Sequence, residues 1–151
     1  MSLFSSIGSP VGITLLSLVV VFLALQSGDF DLVKALVTAI VASLAAITLK
    51  QIIRRERPDT KYAESMHFKL YSFPSGHAFA SLILLGILAY AAAVNLSFFI
   101  AIPLVLTLII AIFLIGLSRV FLGAHYPSDV LGGWVISFVC LLVIIEYILR
   151  S

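Results

Sequence analysis

Charged residues are scarce in this sequence. Only 11% of its 151 residues are Asp, Glu, Lys or Arg, whereas 62% are hydrophobic. A soluble globular domain is nearer one quarter charged and half apolar. The composition therefore excludes an ordinary soluble domain. It indicates an integral membrane protein, which we expect to form a single membrane-embedded domain over residues 1–151.

Cysteine and N-terminal basic residues are also nearly absent. The one cysteine, Cys140, lies in an apolar run and cannot form an internal disulfide, so we interpret it as a small buried hydrophobe. Residues 1–9 contain no Lys or Arg, so we expect no cleavable signal peptide. The formal net charge is only +2, and we expect no nucleic-acid partner.

Long apolar runs, by contrast, recur along the chain. They cover residues 10–27, 32–53, 76–94, 97–118 and 128–149. Each is close to the ~20 residues that a helix needs to cross the hydrocarbon core of a bilayer. Lipid cannot satisfy open backbone groups, so each run must be helical. The runs predict an all-α fold, a polytopic bundle of five transmembrane helices.

Five antiparallel crossings collect most of the charge on one side. The second helix ends, the third begins, the fourth ends and the fifth begins at the same membrane face, which we call the basic face. Seven of the nine cations lie on or near it: Lys50, Arg54, Arg55, Arg57, Lys61, Lys69 and Arg119. The positive-inside rule would make this face cytoplasmic. Alternatively, these cations bind an anion and do not report topology.

The first polar motif is KQIIRRERP, residues 50–58. Lys50, Arg54 and Arg57 are spaced i, i+4, i+7 and share one helical face if the second helix continues to Pro58. Such a stripe at a membrane boundary is commonly a set of snorkelling anchors. This motif alone therefore leaves anchoring and anion binding open.

The second motif is FPSGH, residues 73–77, at the mouth of an apolar run. Pro74, Ser75 and Gly76 indicate a helix N-terminus, in which Ser75 caps and Gly76 lets the backbone approach a ligand. Free N–H groups and the helix dipole favour an anion there. His77 would face that anion from the first turn. The alternative is a polar cap with an incidental histidine.

The third motif is SRVFLGAHYPSD, residues 118–129. Pro127 is well placed to start a helix, with Asp129 in its first turn and His125 just before it. A carboxylate that accepts from one imidazole nitrogen makes the other nitrogen more basic, which suits a histidine nucleophile. Asp129 could instead serve only the dipole of its own helix.

Together these motifs resemble the three-part signature of the type 2 phosphatidic acid phosphatase superfamily, K-x6-RP, PSGH and SR-x5-H-x3-D. The three parts stand in order within residues 50–129, and every signature position matches. The resemblance covers the second to fifth helices. The same signature occurs in vanadium-dependent haloperoxidases, but those are soluble proteins.

The resemblance implies a mechanism without metal or other cofactor. His125 would attack phosphorus, Asp129 would orient it, and His77 would protonate the leaving oxygen and then activate water. The expected phosphate-binding residues are Lys50, Arg57, Ser75, Gly76 and Arg119. Zinc could in principle bind His77, His125 and Asp129, but the surrounding cations would repel it.

The resemblance also implies a phosphorylated membrane lipid as substrate. Candidates are polyprenyl diphosphate, lipid A 1-phosphate, phosphatidylglycerol phosphate and phosphatidic acid. Arg54, Arg55 and Tyr71 are possible head-group contacts, and His67 could line the entrance. We expect a multi-pass protein of the bacterial cytoplasmic (inner) membrane with its site facing the periplasm or outside. The oligomeric state stays open.

Two other classes of protein compete with this interpretation. A lipid-binding or transport protein could use the basic face only to hold anions, without needing His125 beside Asp129. A haem-binding subunit could use paired histidines, but His77 and His125 lie at the interface beside cations rather than in mid-membrane.

Overall fold

A computed structural model describes residues 10–65 and 71–149, and every regular element in these residues is helical. The elements are α1 (Pro10–Ser27), α2 (Phe30–Ile53), α3 (Lys61–Glu64), α4 (Gly76–Asn95), α5 (Phe98–Phe121) and α6 (Pro127–Ile144), and a π-helical turn, Ile145–Leu149, continues α6. Helix α3 is a single turn; the other five match the five apolar runs. The prediction of an all-α bundle is confirmed.

Four helices among the described residues are long and apolar enough to cross a membrane. They are Phe30–Ile53, Gly76–Asn95, Phe98–Phe121 and Pro127–Leu149. Helix α1 adds a shorter apolar stretch, Leu15–Ser27. The chain is therefore a multi-pass membrane protein.

Helix α2 ends earlier than a shared face of its cations requires. Its last residue is Ile53. Arg54 adopts the left-handed conformation (φ 53°), and its backbone N–H donates a hydrogen bond to the carbonyl oxygen of Lys50. The residues that follow are non-helical up to α3. The condition for a shared helical face, a second helix that continues to Pro58, is therefore not met, and Lys50, Arg54 and Arg57 do not lie on one helical face.

Helix α4 is the central helix of the bundle. Its side chains Ile83, Leu84 and Ile87 are fully buried, and the helix packs against α2, α5 and α6. Helix α5 instead directs most of its apolar surface outward, where lipid tails can cover it. The N-terminus of α4 consequently lies in the middle of the basic face.

Glycines allow α6 to approach α4 and its preceding loop closely. A Cβ on Gly133 would lie 2.8 Å from the carbonyl oxygen of Ser75, and one on Gly132 would lie 2.4 Å from the ring of Phe73. Helices in lipid associate largely through such close packing of small residues. The absence of side chains at Gly132 and Gly133 therefore lets α6 lie directly against the start of α4 and the loop before it.

Candidate active site

Hydrogen bonds join the connections between the helices at the basic face. The N–H of Ser75, before α4, donates to the carbonyl oxygen of Asp129, in the first turn of α6, at 2.9 Å. The hydroxyl of Thr60, before α3, donates to the carbonyl oxygen of Gly123, after α5, at 2.9 Å. The three sequence motifs therefore meet in space, as the antiparallel topology predicts.

The N-terminus of α4 is capped as the sequence predicts. The helix begins at Gly76, and the hydroxyl of the N-cap Ser75 accepts from the N–H of Ala78 at 3.5 Å. A Cβ on Gly76 would come no closer than 3.9 Å to Lys50, so packing does not require glycine there. The helix start can still offer N–H groups and a positive dipole to an anion.

Lys50 is buried and holds the loop that precedes α4. Its ammonium donates to the carbonyl oxygens of Pro74, Tyr71 (3.3 Å) and Ser72 (3.4 Å). An ammonium has three N–H donors, so these carbonyls can use all of them. In this state Lys50 anchors the loop to the end of α2. Its contact with phosphate stays a prediction.

Each histidine of the motifs lies beside one arginine. Arg119 Nη1 is 3.1 Å from Nε2 of His77, while Arg57 Nη1 is 3.5 Å from Nε2 of His125 and donates to the carbonyl of Ala124 at 2.9 Å. A guanidinium only donates, so the His77 Nε2 that faces it acts as an acceptor. Burial lowers the pKa of Arg57, but an arginine stays charged near neutral pH.

His125 is buried in a strongly positive environment. Its Nδ1 lies 3.5 Å from Oδ2 of Asp129 and makes no hydrogen bond among the described residues. Burial first, and then the charges of Lys50 and Arg57, lower the pKa of His125 to about 2. This shift favours the neutral imidazole at physiological pH, the form in which one ring nitrogen has a free lone pair.

Asp129 is placed for both of the roles that the sequence left as alternatives. The carboxylate is fully buried, and its Oδ2 accepts from the N–H of Tyr126 at 2.9 Å, which caps α6. The same oxygen faces His125. A helix cap and an orienting carboxylate are thus compatible at this position.

Arg55 points inward rather than only toward the lipid. Its Nη1 donates to Oδ1 of Asp129 at 2.8 Å and to the hydroxyl of Ser128 at 2.7 Å, and its guanidinium lies 4.4 Å from the ring centre of Tyr126. Arg54 is exposed and donates to the carbonyl of Gln51. Head-group contacts by Arg54, Arg55 and Tyr71 stay predictions.

Tyr62, on α3, is a site residue that the sequence did not reveal. It is hydrogen-bonded to Arg119 and acts electrostatically on Arg57. Thr60 caps its helix, with its hydroxyl accepting from the N–H of Ala63 at 3.1 Å. Tyr62 stands between two motifs, so no spacing rule marks it.

Two residues of the basic face lie outside the described part of the chain. They are His67 and Lys69, so the predicted role of His67 at the entrance belongs to that segment. Within residues 10–65 and 71–149, no group of three or more His, Cys, Asp or Glu side chains could hold a metal ion.

Comparisons with known proteins identify relatives along most of the chain. A family model described as the PAP2 superfamily matches residues 31–151. The chain is 38% identical over 88 residues to phosphatidylglycerophosphatase B of Bacillus subtilis, which covers 57% of this chain and 42% of that protein. It is 36% identical over 111 residues to lipid A 1-phosphatase of Rhizobium etli, covering 64% and 44% of the two chains.

A third relative and a solved structure agree with these matches. Decaprenylphosphoryl-5-phosphoribose phosphatase of Mycolicibacterium smegmatis is 37% identical over 98 residues, covering 63% of this chain and 48% of that protein. The chain thus covers less than half the length of each of these curated relatives. The crystal structure of a transmembrane PAP2-type phosphatidylglycerolphosphate phosphatase from Bacillus subtilis superimposes with a TM-score of 0.73 at 27% identity, covering 91% of this chain and 74% of that one.

Proposed function

The chain belongs to the PAP2 superfamily, and from that membership we propose that it is a membrane phosphatase that hydrolyses a lipid phosphate through a phosphohistidine intermediate. One observation carries the proposal. Two histidines stand at converging helix ends, each beside a guanidinium, and one of them also faces a buried carboxylate. A site that only held anions would not need that carboxylate.

The first proposed step transfers the phosphoryl group to the protein. Nε2 of His125 attacks phosphorus while the bond from phosphorus to the lipid oxygen breaks, and protonated His77 gives its proton to that oxygen. Arg119 moves its donors from His77 to the phosphoryl oxygens when the substrate binds. Positive charge from Arg57, Arg119 and Lys50 offsets the negative charge of those oxygens, which is the main requirement of phosphoryl transfer.

The second proposed step releases phosphate. Neutral His77 takes a proton from water as the water oxygen attacks phosphorus, and the phosphorus–nitrogen bond to His125 breaks. Inorganic phosphate leaves, His125 returns to its neutral form, and His77 is protonated again. Asp129 stabilises the positive imidazole of His125 throughout.

The proposed substrate is a lipid whose phosphate enters the basic face while its tail stays in the bilayer. The names of the relatives support this class, since they specify phosphates of a phosphatidylglycerol, of lipid A and of a decaprenyl lipid. Our candidates are polyprenyl diphosphate, lipid A 1-phosphate, phosphatidylglycerol phosphate and phosphatidic acid. We propose no metal and no other cofactor.

The test is phosphate release by the detergent-purified protein in EDTA from these four lipids. We expect release from at least one lipid and a fall of about 10³-fold or more in His125→Gln, because the nucleophile is lost. Lys34→Gln removes an exposed cation at the opposite end of α2 and is the control. A folded wild-type protein that releases nothing, or an unimpaired His125→Gln, would favour an anionic-lipid binding or transport protein.

We further propose that the basic face lies on the outer side of a bacterial cytoplasmic membrane. The positive-inside count opposes this placement, but Lys50, Arg57 and Arg119 occupy the site itself and need not report topology. Phosphate release by intact cells from a water-soluble phosphomonoester that cannot cross the membrane separates the two orientations. Release without permeabilisation is expected if the site faces outward. Release only after permeabilisation would place the site in the cytoplasm.

A further inference from the structure

Arg55 binds the carboxylate that faces the proposed nucleophile. Asp129 is completely buried, whereas the side chain of Arg55 is 37% exposed and reaches inward to it. Its Nη1 contacts Oδ1 of Asp129 at 2.8 Å and the hydroxyl of Ser128 at 2.7 Å. A buried carboxylate without a charged partner would be costly, so this contact offsets the burial of Asp129.

The two oxygens of Asp129 have different partners. Oδ1 accepts from Arg55, and Oδ2 accepts from the N–H of Tyr126 at 2.9 Å. Nδ1 of His125 lies farther from Oδ2, at 3.5 Å, and has no hydrogen-bond partner within residues 10–65 and 71–149. Of the three groups around the Asp129 carboxylate, the imidazole makes the longest contact. The hydrogen bonds from Arg55 and from the N–H of Tyr126 fix the orientation of the carboxylate.

Arg55 is itself fixed on several sides. Its guanidinium lies 4.4 Å from the ring centre of Tyr126, an arrangement that favours a cation over an aromatic face. Its carbonyl oxygen accepts from the N–H of Ser72 at 2.8 Å and from the Ser72 hydroxyl at 3.1 Å. A direct contact with a lipid head group would require the guanidinium to leave Asp129, Ser128 and Tyr126.

We propose that Arg55 is a positioning residue that holds Asp129 in the orientation needed to stabilise His125 as it gains positive charge. This inference rests on the proposed function. Neutral His125 competes poorly with a guanidinium for the carboxylate. Once Nε2 bonds to phosphorus, the imidazole is cationic and its Nδ1–H can bind Oδ2 more strongly. Stabilisation that grows toward the transition state raises kcat rather than substrate affinity.

The first test compares Arg55→Gln and Arg55→Lys with wild type on two substrates. One is the best lipid of the panel; the other is p-nitrophenyl phosphate, which has no lipid head group. We expect kcat of Arg55→Gln to fall by about 10- to 100-fold on both substrates, with KM changed by less than about 2-fold. A loss of this size is typical when a side chain that orients another functional side chain is removed. Arg55→Lys should restore part of the loss. Lys34→Gln, which breaks the exposed Lys34–Asp31 ion pair, should match wild type.

The second test is a double-mutant cycle with Asp129→Asn. If Arg55 acts through Asp129, then Arg55→Gln should add little to the loss already caused by Asp129→Asn. Additive losses, an unchanged kcat, or a higher KM for the lipid alone would each overturn the inference and favour a direct head-group contact.

A variant that keeps both charged residues covers the case in which Arg55→Gln fails to fold. Ser128→Ala removes a hydrogen bond of Arg55 at an exposed position, and we expect kcat to fall by about 2- to 5-fold at constant KM. An unchanged kcat would overturn the inference. A wild-type protein with no phosphatase activity would overturn the proposed function as well, whereas an active wild type with additive losses overturns this inference alone.

Discussion

Among single residues, the pairing of each histidine with an arginine distinguishes this site. Arg57 stands beside His125 and Arg119 beside His77, so each imidazole faces a permanent cation. Neighbouring cations disfavour the protonated imidazole. In the proposed mechanism, a bound phosphate would offset those charges and let His77 carry the proton that the leaving oxygen needs.

His125 should resist protonation in the substrate-free protein. Its pKa is lowered from 6.5 to about 2, so between these values the unfolded chain binds the proton and the folded chain does not. The contribution of neutral His125 to the free energy of unfolding is therefore complete above about pH 6.5 and is lost as the pH falls toward 2.

The protonation state of His125 can be measured by NMR. We expect the ¹⁵N shifts of the His125 imidazole to show the neutral form down to pH 5. They should titrate at higher pH once inorganic phosphate, the reaction product, is bound beside the ring, because its negative charge offsets the neighbouring cations. A midpoint near 6.5 in the free protein would contradict this.

The sequence identified the residues of the three motifs but not the contacts between motifs. Lys50, His77 and His125 stand in recognisable patterns, and helix topology was enough to predict that they meet. Tyr62 and the inward turn of Arg55 depend on the path of the chain after Arg54, whose left-handed conformation no motif encodes.

Among the helices, the ends are as important as the spans. Pro127 starts α6 and Ser75 caps α4, as the sequence predicts, because lipid requires helices and these residues favour helix starts. The end of α2 was harder to predict. Arginine is an ordinary helix former, yet Arg54 ends the helix by adopting a positive φ. Residues other than glycine seldom adopt that conformation.

The contact between α4 and α6 should tolerate no added carbon at Gly133. A Cβ there would lie 2.8 Å from the backbone carbonyl oxygen of Ser75, which cannot move without shifting the N-terminus of α4. We expect Gly133→Ala to lower the free energy of unfolding by about 1–3 kcal/mol and to reduce phosphate release by roughly tenfold. Thermal unfolding in detergent and the release assay measure these effects.

The matched control lies on the same helix. Val139→Leu adds one carbon on the outward side of α6, where Val139 is exposed, and it should leave both properties unchanged. If Gly133→Ala behaves like Val139→Leu, the close approach of the two helices is not needed to form the site.

For the molecule as a whole, the fold separates an apolar exterior from one polar end. Helix α5 faces outward, α4 fills the centre, and the connections after α2, before α4 and before α6 are hydrogen-bonded to one another at the basic face. A lipid phosphate can reach such a face without leaving the bilayer. Composition and the lengths of the apolar runs predicted this architecture, because a membrane leaves few alternatives to a helical bundle.

The most direct measurement is to trap the covalent intermediate. The protein is mixed with p-nitrophenyl phosphate, whose leaving group needs no proton, and quenched in alkali, where phosphohistidine survives; mass spectrometry then identifies the modified residue. We expect a phosphoryl group on His125, more of it in His77→Ala because water is no longer activated, and none in His125→Gln. Turnover by His77→Ala without phosphorylated His125, or a phosphoryl group on another residue, would contradict the proposed mechanism.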